Sequence, residues 1–165
     1  MRVEFIDLKS RYKLERQEIL KTLDIICSSE FIVAITGAGI SVDSGVPTFQ
    51  GTDGLWTRFG KPSFNSYADF IKDRTKWWER EIKYASAPYI NELRKTLETA
   101  RPNIGHKILK IMEDLDIIKI LITQNIDGLH LEAGTKNLIE IHGNRNKFRC
   151  IECGWRKNRK KNKNT

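Results

Sequence analysis

No apolar run in this sequence approaches the ~20 residues that a membrane-spanning helix needs. The opening residues, Met1-Arg-Val-Glu-Phe, lack the apolar core of a secretory signal. Cysteine is scarce: there are three, and an odd number argues against a disulfide framework. These features lead to the expectation of a soluble, cytoplasmic protein kept in a reducing compartment, with no membrane partner. Acids are missing from one stretch. The last ten residues hold Arg156, Lys157, Arg159, Lys160, Lys161 and Lys163 and no Asp or Glu. Removing those six from the formal charge of +8 leaves +2 for the rest of the chain. The basic excess therefore belongs to the tail, residues 156–165, which reads as a disordered, solvated charge run, and no nucleic-acid partner is expected.

What is present is the material of one modest domain of 165 residues. The stretch that organises it is Phe31-Ile-Val-Ala-Ile-Thr-Gly-Ala-Gly-Ile-Ser41. An apolar run of strand length ends in a glycine turn, and a short apolar segment follows. That order predicts a buried parallel strand, a turn and a helix start. Glycines there let a ligand approach the backbone, and free N–H groups at a helix start favour an anion. The third glycine of the dinucleotide fingerprint is absent, because Val42 stands in its place.

Upstream, residues 8–29 read as an amphipathic helix with Leu8, Tyr12, Ile19, Leu23, Ile26 and Cys27 towards the core. Downstream, residues 43–65 form a Gly/Pro/Ser/Thr/Asn-rich loop long enough to close over a ligand. Residues 66–99 are predicted helical, with Trp77 and Trp78 as core or pocket wall and Pro88 interrupting the pattern. Pro102-Asn103 opens another helix, with Ile104, Ile108, Ile111, Met112 and Leu115 on its buried face and His106 as a satisfied structural histidine. Ile117–Thr123 and Leu138–Ile141 read as two further strands. Both end in polar groups, Gln124-Asn125-Ile126-Asp127 and His142-Gly143-Asn144, at the edge where open parallel sheets bind ligands. Cys150-Ile-Glu-Cys153-Gly154 has the spacing of half a zinc-ribbon knuckle, two of the four ligands that a tetrahedral site needs.

These segments resemble one known family. Gly37-Ala-Gly-Ile-Ser41, Ser44-Gly-Val-Pro-Thr-Phe49, Gly54-Leu-Trp56, Thr123-Gln-Asn-Ile-Asp-Gly-Leu-His130, Ala133-Gly134, His142-Gly-Asn144 and Cys150-x-x-Cys153 come in the order of the sirtuins, the Sir2 family of NAD-dependent protein deacylases. The likeness runs from about Ile32 to Gly154. It implies an α/β, Rossmann-like parallel sheet with flanking helices, here partial, plus half of a small zinc-ribbon module. The expected division is a helix packing on the core over 1–30, the NAD-binding portion over 31–146 with a helical insertion at about 60–100, the half knuckle over 147–155, and the tail.

The resemblance also implies chemistry. It assigns NAD contacts to Gly37, Ala38, Gly39, Ile40, Val42, Phe49, Gln50, Gln124, Asn125, Ile126, Asp127 and His142. Asn125 and Asp127 hold nicotinamide, His142 is the general base, and Cys150 and Cys153 are two ligands of a structural zinc. The partner implied is an acyl-lysine protein or peptide, whose acyl group passes to ADP-ribose with release of nicotinamide. Those roles suit the residues. A carboxamide needs both donors and acceptors, as Asn125 and Asp127 offer. An imidazole with the ordinary pKa near ~6.5 can take a proton from a ribose hydroxyl at neutral pH.

Two departures qualify the likeness. The family usually carries Arg where this chain has Gln50, which replaces a fixed charge with a neutral amide. The second Cys pair, the acyl-peptide segment and the strands for the adenosine half of NAD have no counterpart in the sequence. The expectation is an N-terminal portion of a longer protein, with weak zinc binding and little deacylase activity by itself. The alternatives are an NAD-cleaving or ADP-ribosylating relative, or an inactive NAD-binding fragment.

Overall fold

The computed structural model describes residues 16–61, 66–83 and 88–159. Its centre is a three-stranded parallel sheet in the order β1-β2-β3. The strands are β1 (Ile32–Thr36), β2 (Ile118–Thr123) and β3 (Leu138–Glu140). Branched apolar side chains favour the pleated conformation of each strand. The register aligns Thr36 with Thr123 and Thr123 with Glu140, so all three carboxyl ends reach one rim. An irregularity between Ile32 and Val33 shifts the start of β1.

The sheet has unequal faces. Strand alternation puts Ala34, Thr36, Leu121, Thr123 and Leu138 on one side, where α6 (Ile104–Asp114) packs on β2. Leu121 and Thr123 are fully buried there. The other side carries Val33, Ile35, Ile120, Ile122, Ile139 and Ile141. Val33, Ile35, Ile139 and Ile141 are 41%, 68%, 47% and 54% exposed. β1 is therefore half-covered rather than the fully buried strand expected, because nothing among the described residues lies over its outer face.

The helices correct several expectations. α1 (Arg16–Ser28) has no buried residue, and Cys27 is exposed rather than in a core. Leu8 and Tyr12, placed on the same helix, lie outside the described residues. Pro88 marks the expected break in the helical pattern: one helix ends at Ile82, and Pro88 starts α5 (Pro88–Thr99), where a missing N–H costs nothing. On α6, Ile104, Ile108, Ile111 and Leu115 are exposed and His106 is the buried residue. The apolar stripe is real, but the face that meets β2 and α7 (Leu129–Glu132) is the neighbouring one.

The best-buried apolar cluster lies beyond the rim of the sheet. Val46, Leu55, Leu93, Ala100 and Leu129 form it, with Phe49, Trp56, Tyr89 and Leu97 against it. The long loop enters this cluster through α2 (Leu55–Phe59). Gly54 permits the entry: a Cβ there would stand 2.6 Å from the backbone carbon of Gln50 and 2.8 Å from the Phe49 carbonyl oxygen. The loop closes on itself through Leu55 N–H to Thr48 O and Trp56 N–H to Phe49 O, both 2.9 Å.

α3 (Ser66–Lys72) and α4 (Arg74–Ile82) continue the helical insertion. Trp77 and Trp78 meet their neighbours edge to face in an aromatic row, Phe70–Trp77 at 5.3 Å, Trp77–Trp78 at 5.2 Å and Trp78–Phe148 at 5.9 Å. Phe148 lies on β4 (Lys147–Arg149), which pairs antiparallel with β5 (Arg156–Asn158). Residues 156–158 thus form a strand where a disordered tail was expected. Residues 160–165 lie outside the described residues.

The uneven coverage predicts an uneven cost of truncation. Leu121→Ala, which empties a fully buried site, should lower the unfolding free energy by about 2–5 kcal/mol. Ile35→Ala, on the open face, should cost less than about 1 kcal/mol, both measured by chemical denaturation.

Candidate functional site

Two loop tips meet at the carboxyl rim of the sheet. The first follows β1, where a 3-10 helix (Ala38–Ser44) begins directly after Gly37. The second is Gln124-Asn125-Ile126-Asp127, which follows β2 and ends at Gly128, whose φ of 80° lets the chain turn into α7. A single buried hydroxyl joins them. Ser41 Oγ donates to Asp127 Oδ2 at 2.7 Å and accepts from Asn125 Nδ2 at 3.1 Å. Asn125 Nδ2 also donates to the Gly37 carbonyl at 3.0 Å. These bonds fix the amide orientation, and no hydrogen bond among the described residues occupies Asn125 Oδ1. The other carboxylate oxygen, Asp127 Oδ1, accepts the Leu129 N–H at 2.9 Å.

The third tip brings His142 from the end of β3. His142 Nδ1 lies 2.9 Å from the Gln124 carbonyl oxygen. A carbonyl only accepts, so Nδ1 carries the proton and Nε2 presents the lone pair. His142 is exposed at the mouth of a cavity of about 660 Å³.

Of the residues assigned by resemblance, Ala38, Phe49, Gln50, Gln124, Asn125, Ile126, Asp127 and His142 line that cavity. Gly37, Gly39, Ile40 and Val42 do not line it. Gly37 and Ile40 act through their carbonyls, which accept from Asn125 and Asn103, and the Val42 side chain is exposed. Trp77 and Trp78 are not part of the wall; Trp56 is, 5.4 Å from Phe49. Leu93 and Leu97 of α5 complete the apolar side. Ser41 was quoted in the motif without a role, and its position inside the glycine turn was the available signal. The α5 leucines carried no local signal, since helix packing alone brings them to the cavity.

Behind the tips lies a buried polar brace. Asn103 caps α6, with Oδ1 accepting from Gly105 N–H at 2.9 Å, and its Nδ2 donates to the Ile40 carbonyl and to Ser44 Oγ. His106 Nδ1 reaches the same Oδ1 at 3.0 Å. His130 stacks near His106 with ring centroids 4.7 Å apart. His130 Nε2 lies 2.9 Å from Thr36 Oγ1, which donates in turn to Thr123 Oγ1. Both imidazoles are fully buried. Burial holds the pKa of His106 below its ordinary value, against the pull of Asp127. Burial, with the neighbouring His106, lowers that of His130 to about 4, again opposed by Asp127. Neither His106 Nε2 nor His130 Nδ1 has a protein partner, so an added proton would be a buried and unpaired charge.

Cys150 and Cys153 sit in the turn between β4 and β5. Hydrogen bonds from the Cys153 and Glu152 backbone hold the Cys150 thiol below its ordinary pKa. Gly154, with φ of 72°, closes the turn by donating to the Cys150 carbonyl. No group of three or more His, Cys, Asp or Glu able to hold a metal occurs among the described residues.

Comparison with known proteins follows the same outline. A sequence profile described as the Sir2 family matches residues 37–165. An NAD-dependent protein deacylase of Aeropyrum pernix is 40% identical over 144 residues, covering 85% of this chain and 55% of the relative. Among solved structures, a mutant Sir2 homologue in complex with ADP-ribose superposes with a TM-score of 0.65 at 34% identity, over 88% of this chain and 53% of that one. A Sir2 variant with a deacetylated p53 peptide and 3′-O-acetyl-ADP-ribose gives 0.63 at 34% identity, over 85% and 53%. The chain spans about half the length of the curated relatives it matches.

The brace predicts acid sensitivity. Unfolded histidines titrate near ~6.5 and these two do so lower, so the unfolded state binds more protons as pH falls between those values. Melting temperature should therefore be flat above pH ~6.5 and fall towards the pKa of about 4 held by His130. His130→Gln should lower stability at neutral pH and shallow the acid limb, read by thermal melts across the series.

Proposed function

The chain belongs to the Sir2 family, and from that premise we propose that it is the nicotinamide-ribose half of an NAD-dependent protein-lysine deacylase. The observation that carries this reading is the convergence on one cavity of Asn125 and Asp127, joined through Ser41, and of His142, held by the Gln124 carbonyl. When bound, NAD supplies a nicotinamide leaving group on an activated ribose. The residues fit that end of the molecule. Asn125 Oδ1 is open to accept from a carboxamide, its orientation locked by two outgoing bonds. Phe49 and Trp56 give an apolar wall that excludes water from the ribose face. His142 Nε2 accepts the proton of a ribose hydroxyl while Nδ1–H stays on Gln124, so the ring need not rotate. Gln50 lines the cavity without a charge, and the amide in that place positions by hydrogen bonding alone. The acyl donor is a lysine-acylated peptide, as the relatives' names and the peptide complex suggest by likeness.

The knuckle does not fit a closed zinc site by itself. Two thiols supply half of a tetrahedral shell, and the described residues offer no others near them. Zinc added to this chain should dissociate readily, so that a metal-content assay after exhaustive dialysis finds well below one zinc per chain. Retention of one zinc per chain would contradict the assignment.

For the pocket, nicotinamide binding to this chain, followed by NMR, should weaken at least about tenfold in Asn125→Ala and in Asp127→Asn, which lose charge-assisted or fixed donors and acceptors. In a chain completed to the relatives' length, His142→Ala should lower O-acyl-ADP-ribose formation about 10²–10⁴-fold. Exchange of labelled nicotinamide should survive, because the base acts after nicotinamide has left. Free ADP-ribose as the sole product would favour an NAD-cleaving relative instead.

A further inference from the structure

We propose that the β4–β5 hairpin is a binding site for single-stranded nucleic acid, independent of the nicotinamide pocket. As a sequence, the basic end reads as a solvated run. In the fold, part of it is an ordered strand whose cations are placed by a ladder. Arg149 stands directly opposite Arg156, and Lys147 opposite Asn158, on one face. Like charges paired across strands repel, and a polyanion laid on them removes that repulsion. Among the described residues, none of Arg149, Arg156, Lys157 and Arg159 pairs with a carboxylate. The one carboxylate of the hairpin, Glu152, is taken by Arg74 at 2.7 Å.

The second observation concerns the kind of polyanion. Trp155, which precedes β5, is 56% exposed, with Lys157 Nζ 6.0 Å from its ring centroid. An exposed indole beside a cation is a platform on which an unpaired base stacks while its phosphate meets the ammonium. A duplex buries its base faces, and an acidic peptide has none to offer. Among the described residues β5 pairs only with β4, its residues are exposed, and the Arg149–Arg156 face lies away from the Phe148–Trp78 contact, which leaves room for a strand running along it. Arg156 on one side, with Lys157 and Trp155 on the other, then flank that path.

The test is fluorescence anisotropy of the whole chain with a labelled oligo-dT, a blunt duplex of the same length and a polyglutamate competitor, from ~50 to ~200 mM salt. The oligo-dT should bind more tightly than the duplex and resist polyglutamate. Trp155→Ala should weaken it about 5- to 100-fold. Arg149→Ser with Arg156→Ser should lower the slope of log affinity against log salt by about 1.4, at ~0.7 per lost phosphate contact. Lys21→Ser, on α1, should change nothing. A second variant, Lys160→Ser with Lys161→Ser and Lys163→Ser, separates the hairpin from the residues after it. Binding lost in that variant alone, a neutral Trp155→Ala, equal or better binding of duplex or polyglutamate, or no oligo-dT binding at the lowest salt would each overturn the proposal.

Discussion

The hydroxyl of Ser41 holds the candidate site together. It is donor to one strand tip and acceptor from the same tip two residues earlier, so one buried atom sets both the carboxylate of Asp127 and the amide of Asn125. Neither side chain could be oriented by β2 alone, because a strand end fixes the backbone and leaves χ angles free. The 3-10 helix supplies the missing constraint from β1. Its own position is set by Asn103, which grips the Ile40 carbonyl and Ser44 Oγ from the start of α6. The parallel register that aligns Thr36 with Thr123 is what brings these pieces within reach. His130 and the two threonines then tie α7 to both strands from beneath.

Much of this was legible in the sequence, and the failures share a cause. The strands were readable because branched apolar runs ended in glycine or polar tips. The site was readable where the motif is contiguous, as in Gln124 to Asp127 and in His142. What failed was the choice of face. On α6 the apolar period was plain, yet it could not say that His106 and not Ile108 would be buried. Periodicity locates a stripe; only the neighbouring elements decide which side of it is covered. The same limit applies to β1, whose residues are apolar on both faces while only one face is packed among the described residues.

The cavity shows a different limit. Leu93 and Leu97 reach it from α5, an element with no motif of its own, while Trp56 comes from α2 within the Gly54-Leu-Trp56 segment. Gly54 is the residue that makes this possible, since any side chain there would collide with the backbone of Gln50 and Phe49. The loop read as long enough to close over a ligand thus supplies Val46 to Gln50 and Trp56 of the cavity wall. Its tight fold places the neutral Gln50 in the cavity lining.

The two regions of polarity in the molecule obey opposite rules. Around Ser41 the hydrogen bonds fix Asn125 and Asp127 and leave Asn125 Oδ1 open, and burial holds the histidines behind below their ordinary pKa, so the site is organised before any ligand arrives. On the hairpin the charges are exposed and held against their own repulsion by the backbone ladder. Preorganisation in the first case favours a small ligand recognised by geometry. In the second, the facing Arg149 and Arg156 favour a long polyanion recognised by charge and stacking. Phe148 links the hairpin to α4 through Trp78, on the side away from Arg149 and Arg156, which leaves the cationic face clear.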